Sequence, residues 1–173
     1  MKGVDLRTFQ FDWDLTWHTF FLNADGAIYG RYGTRAGSRN NQLTHISLAS
    51  FKKAMHRALE VHRAYPANRS ALAAKRGPEP EYRVPEEAPA LKTFAGPTTV
   101  KTCIHCHTAG ENLLQARKAQ NKLSVSDVWA YPLPDNIGLR MDQDDGLRVR
   151  SVTSGSPAAS AGFATGDELQ SLH

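Results

Sequence analysis

DLTWHTFFLNADGAIYGRYGTR, residues 14–35, alternates aromatic and β-branched side chains around a turn. Thr16 to Asn23 carries the residue types that fit a pleated surface, Ala24-Asp25-Gly26 supplies turn chemistry, and Ala27 to Tyr32 returns. The stretch predicts two adjacent antiparallel strands. Just ahead of it, Asp12 and Asp14 flank Trp13 at strand spacing, a placement that shapes the entry to the turn rather than an acid and base pair. Downstream of Thr44 the period becomes helical. Leu48, Phe51, Met55, Ala58, Leu59 and His62 share a face, Thr44 or Ser47 can cap the start, and Pro66 lies beyond the end.

Farther along, PANRSALAAKRGPEPEYRVPEEAPALKTFAGP holds six prolines among scattered charges. Such a composition buries little apolar area, so residues 66–97 read as a linker or a surface-hugging segment, with polyproline II geometry favoured from Pro78 to Pro89. Glu111 to Asn121 has good helix formers. Beyond it come a strand at Leu147 to Val152, a short helix near Ala158 to Ala161 and a strand beginning at Glu168. The fold class expected is α+β, in four parts: 1–65, the linker 66–97, a cysteine-bearing segment 98–130, and 131–173.

With 173 residues, 40% of them apolar, the chain can fill a core. No run approaches the roughly 20 apolar residues of a membrane-spanning helix, and MKGVDLRTFQ lacks the basic-then-apolar pattern of a secretory leader. The net charge of +4 is uneven: residues 1–75 carry 11 basic and 5 acidic side chains, and 131–173 carry 3 and 6. Arg31, Arg35 and Arg39 follow one strand and turn without any nucleic-acid motif, so a solvated face is expected there and no nucleic-acid partner. Neither a Ser-His-Asp arrangement nor a phosphate-binding glycine loop is visible, and no catalytic residue is assigned.

The two cysteines of the chain stand three apart in Cys103-Ile104-His105-Cys106-His107. CxxCH attaches a c-type haem: two thiols reach the two vinyl groups of the porphyrin, and the next histidine ligates iron from one face. Cys103, Cys106 and His107 are therefore the candidate haem c ligands, with Thr98 to Lys101 as an extended approach and Leu113 and Leu114 available against the ring. Met141 is the nearest downstream thioether for the sixth iron position, against its simpler reading as a core methionine. His45, His56 and His62 are remoter candidates, and His18 sits on a strand as a structural residue. Zinc is a rival, with His105 or His107 joining the cysteines, although a closed site needs four donors and His173 is the sole histidine downstream. A catalytic dithiol, a local disulfide or two free thiols complete the alternatives.

Two stretches resemble known families. The hairpin and following helix resemble the second half of a thioredoxin-like fold, with Leu15-Thr16 where that family has its cis-proline and threonine. The C-terminal stretch is similar to the first half of a bacterial PDZ domain. Asn136-Ile137-Gly138-Leu139 matches the carboxylate-binding loop, and Gly155-Ser156-Pro157-Ala158-Ala159-Ser160-Ala161-Gly162-Phe163 with Gly166-Asp167-Glu168-Leu169 matches its GSPAxxAGxxxGDxL signature. The order thioredoxin-like, CxxCH, PDZ resembles the bacterial thioredoxin/PDZ (seleno)protein family, which implies that this chain is an internal piece of a longer protein. The expectation is an electron-transfer module of a periplasmic or otherwise extracytoplasmic protein. It carries haem c, meets a redox partner protein, and docks peptide C-termini or another protein through Asn136, Ile137, Gly138 and Leu139. The alternative is a non-redox PDZ scaffold in which CxxCH is a structural or dithiol site.

Overall fold

Strands β1 (Trp17–Leu22) and β2 (Ile28–Thr34) form the expected antiparallel hairpin, in register from Trp17 opposite Thr34 to Phe21 opposite Gly30, with a bulge that shifts Leu22 onto Ile28. The turn holds itself. Asn23 accepts the Gly26 N–H on its carbonyl at 3.0 Å and the Ala27 N–H on its side-chain oxygen at 2.9 Å, and Gly26 takes φ +72°, a left-handed conformation costly for other residues. This computed structural model describes residues 1–34, 45–77, 79–94, 96–97, 99, 103–128 and 132–170. Arg35, Arg39, Thr44, Pro78, Thr98, Lys101 and His173, which carried sequence expectations, lie outside the described residues.

Helix α1 (Leu48–Arg63) begins at Ser47, whose hydroxyl accepts from the Ser50 N–H while the Ser50 hydroxyl accepts from the Ser47 N–H. This reciprocal cap satisfies two backbone donors that the helix start leaves without partners. The hairpin reads the same turn: the Tyr32 hydroxyl donates to the Ser47 carbonyl at 3.0 Å, and Phe51 packs at 5.3 Å from the Trp17 ring and 5.2 Å from Tyr32. Farther up the helix, His62 Nδ1 lies 2.7 Å from the Tyr29 hydroxyl. The face expected from periodicity is only partly the packed one. Leu48, Met55 and Leu59 are 68%, 37% and 52% exposed, because a two-stranded sheet is too narrow to cover the whole stripe.

Between α1 and the cysteines the chain makes a short helix, α2 (Arg69–Ala73), then two 3-10 turns at Pro85–Glu87 and Pro89–Phe94 where composition favoured polyproline II. Proline's φ near −65° suits the first turn of either geometry, and packing selects between them. Leu91 is fully buried and joins Ala88, Ile104 and Ala109 in a core cluster flanked by Met1, Trp13, Tyr82, Phe94 and Leu113. The N-terminal segment is tied to this strip, the Leu6 N–H donating to the Arg83 carbonyl at 2.8 Å. Arg31 is engaged rather than simply solvated, its guanidinium donating to the Lys75 carbonyl and lying 5.4 Å from the centre of the Phe20 ring.

Among the described residues the remaining α-helices are α3 (Cys106–Ala119), α4 (Val125–Val128) and α5 (Pro157–Ser160). Strands β3 (Leu139–Met141) and β4 (Val149–Val152) pair antiparallel as a second two-stranded sheet, joined by a bridge from Arg148 to Glu168. The C-terminal strand expected from Leu147 starts two residues later, leaving Leu147 55% exposed. Leu139, Val149 and Ala158 form a separate core cluster with Met141, Val152 and Phe163. Gly138, at φ +86°, closes it: a Cβ there would stand 2.3 Å from the Ser156 side chain that caps α5. The described residues thus form an α+β arrangement with two small antiparallel sheets, and no helix among them is long and apolar enough to cross a membrane.

Candidate functional site

The CxxCH segment is pinned by its second residue. Ile104 is 1% exposed in the Leu91 cluster, and its carbonyl accepts from the Met1 nitrogen at 2.8 Å. Burying a side chain of this size removes it from water at a gain of about 2 kcal/mol, enough to hold the segment in one place. Cys103 is left exposed on one side of this anchor, and His105 emerges on the other in an extended conformation (φ −78°, ψ 146°) as the residue capping α3. The helix proper starts at Cys106, five residues earlier than helix propensity alone placed it. Ala109 is fully buried and donates its N–H to the His105 carbonyl at 3.0 Å, closing the first turn. At Gly110 the helix meets the N-terminal segment so closely that a Cβ would lie 2.5 Å from that of Trp13.

That approach brings Asp14 to the site. Its carboxylate oxygen lies 3.7 Å from His107 Nδ1, while its own N–H is held by the Asp12 side chain at 2.9 Å. The His105 and His107 rings stack at 5.1 Å with 17° between planes, and donor atoms of His105, Cys106 and His107 all fall within 4.8 Å of one another. Cys103 is outside that group, and both cysteines are free thiols.

A cleft of about 740 Å³ opens one turn along α3, walled by Phe11, Trp13, Tyr82, Leu113 and Leu114, with Asp14 at its edge. Arg117 on its rim pairs with Asp127 at 2.6 Å and Glu81 at 3.5 Å. The Ser124 N–H, followed by the Ser124 hydroxyl and the Arg117 charge, holds the Asp127 carboxyl below its ordinary value of 3.8. A smaller hollow of about 260 Å³ lies on β1 between Phe9, Phe11 and Phe20, where both ring nitrogens of His18 are buried without a hydrogen-bond partner among the described residues. Burial there, with the Arg31 charge second, pushes the His18 imidazole below its ordinary value of 6.5.

Comparison with protein-family models, with curated proteins and with solved structures finds no match to this chain. The functional reading therefore rests on the residues themselves. Of the sequence candidates, Cys106 and His107 open α3 and Cys103 lies three residues ahead of it, outside the donor group, whereas Met141 packs in the C-terminal cluster and His62, on α1, bonds the Tyr29 hydroxyl of β2. In the candidate peptide loop, Asn136 and Ile137 are exposed on a 3-10 turn (Pro134–Ile137). The Gly138 N–H donates to the Asp135 carbonyl, its carbonyl accepts from Thr153, and the Leu139 side chain is buried. Sequence reasoning missed Asp14 as the neighbour of His107 and Trp13 as the residue packed against Gly110 of the same helix. Asp14 and His107 lie 93 positions apart in the sequence, and no local pattern reports such a pairing.

Proposed function

We propose that this chain is the electron-transfer module of a larger extracytoplasmic bacterial protein, holding haem c at Cys103, Cys106 and His107 and presenting a PDZ-like region to a peptide terminus or protein partner. One observation carries the reading: a buried Ile104 holds the backbone while Cys103 stays exposed and Cys106 and His107 half-exposed on the first turn of a 14-residue helix. Thiols in that setting can add across the vinyl groups of a porphyrin, each S–H crossing one double bond with nothing lost. Haem would supply reversible one-electron storage, its potential set by the axial ligands and the surrounding dipoles.

The chain's own groups fit that cargo. With His107 Nδ1 turned toward the Asp14 carboxylate, Nε2 is the nitrogen left for a metal, the orientation by which outer carboxylates commonly fix a ligating imidazole. Trp13, Leu113 and Leu114 line a cleft one turn along α3 that offers apolar surface to a ring held at the helix start. Met141 packs among Leu139, Val149 and Ala158, so its packing accounts for it without a metal role. The resemblance to thioredoxin-like and PDZ halves, and the oxidising compartments in which haem is joined to CxxCH, support the partner and location in this proposal.

Co-expression with haem-attachment machinery tests it. A coloured product is expected, with sharp α and β bands on reduction, one haem added by mass and colour retained after denaturation. Two unmodified thiols after faithful maturation would instead leave a PDZ-like scaffold in which the cysteines are structural or a dithiol, a reading favoured by the separate C-terminal cluster.

A further inference from the structure

Side chains two apart in a helix point about 200° away from each other and do not meet. His105 and His107 nevertheless stack at 5.1 Å. The reason lies in the backbone: His105 caps α3 with extended dihedrals (φ −78°, ψ 146°), so its side chain swings back alongside the first turn instead of following the helical spiral. Cys106, the residue between them, completes a set of two imidazoles and one thiol with donors inside 4.8 Å of each other. Around a tetrahedral zinc, bond lengths of about 2.0–2.3 Å put neighbouring donors about 3.3–3.6 Å apart. Closing from the present spacing needs about an ångström of side-chain rotation, and His105 is exposed while Cys106 and His107 are half-exposed, free to make it.

We propose that His105, Cys106 and His107 form a binding site for one borderline d-block cation, with zinc the natural occupant, in chain that carries no haem. Two nitrogens and a sulfur select zinc, cobalt or copper over magnesium or calcium, which prefer oxygen. Ligation exchanges the Cys106 thiol proton for the metal, the proton passing to solvent, and water fills the remaining coordination position. Asp14, 3.7 Å from His107 Nδ1, is the outer partner that orients that ring. Cys103 is no member of the set.

Metal and haem draw on the same Cys106 and His107, so one occupant excludes the other. His105 separates them, because it is a ligand here and a free position in CxxCH.

The experiment is a Co2+ titration of the full chain produced without haem-attachment machinery, followed by displacement with Zn2+. Expected are one cobalt per chain, a thiolate-to-cobalt charge-transfer band in the near ultraviolet with the intensity of a single thiolate, and tetrahedral bands in the visible. His105→Ala weakens binding at least about tenfold, Cys106→Ala removes the band, and Cys103→Ala leaves it in place. His105→Gln, which keeps the side-chain bulk, repeats the His105→Ala result if loss of the ligand rather than of packing is responsible. The proposal is overturned by a wild type without the band, by unchanged affinity in either His105 variant, or by loss of the band in Cys103→Ala, which would assign the ion to the dithiol. Failure of the haem reading shows separately, as a colourless product after maturation, and His105→Ala chain is expected to take up haem normally.

Discussion

Helices α1 and α3 are of similar length, 16 and 14 residues, and begin in opposite ways. The first starts with a reciprocal serine cap and then leaves Leu48 and Leu59 more than half exposed. The second has no side-chain cap at His105, yet its start is held by Ile104, Ala109 and the close approach of Trp13 to Gly110. The first helix is started by a serine cap beside it in sequence, the second by an apolar cluster that also draws in Met1 and Trp13, more than ninety positions away. A helix start secured by tertiary packing leaves its capping position open, and in this molecule that position is His105.

The comparison breaks most readily at Ile104. Replacing it with Ala removes a fully buried side chain and is expected to cost about 3 kcal/mol of stability, read by denaturant unfolding, with local exchange protection of the α3 amides falling at the same time. A loss below about 0.5 kcal/mol would mean that α3 starts without tertiary help. Next comes Ser47→Ala, which deletes one half of the α1 cap and is expected to cost about 1 kcal/mol. Equal sensitivity of α1 and α3 amides to that substitution would erase the distinction between the two helices.

His18 sits where the hairpin meets the N-terminal segment, and its effect is a pH dependence. Because burial lowers its folded pKa from 6.5, the unfolded chain binds the proton more readily. Stability is then complete above 6.5 and declines as pH falls from there toward the lowered folded value. His18→Phe is expected to flatten that acid-side slope in melts taken across the window, and an unchanged slope would remove His18 as its source. Smallest is Leu59→Gln, on the uncovered side of α1, expected to shift stability by no more than about 0.5 kcal/mol. A larger loss by the same unfolding measurement would show that the exposed stripe is covered in solution.

Much of the fold was legible because its signals are short-range. Alternation and an Asn-x-x-Gly turn predicted the first hairpin, and an apolar face of helical period with Thr44 or Ser47 ahead of it predicted α1. The C-terminal glycines and prolines located β4 and α5 to within two residues. What the pattern could not show is which part of an apolar stripe finds a partner, since Leu59 and Phe51 look alike in sequence and differ in what lies opposite. The proline-rich stretch misled for the same reason. Its composition describes the backbone's freedom, whereas Leu91 found a core to enter.

For the site, sequence by itself determined the donor atoms: two thiols and two imidazoles within five residues, at a spacing that chemistry can use. Only the tertiary structure decided which of them converge. Ile104 is drawn into the core, His105 is left extended at the head of α3, and its ring comes to lie on that of His107. Asp14 arrives with Trp13, whose ring the helix admits at a glycine. Donor identity is a property of single residues, but their convergence depends on apolar burial summed over distant segments, and only the folded chain carries out that sum.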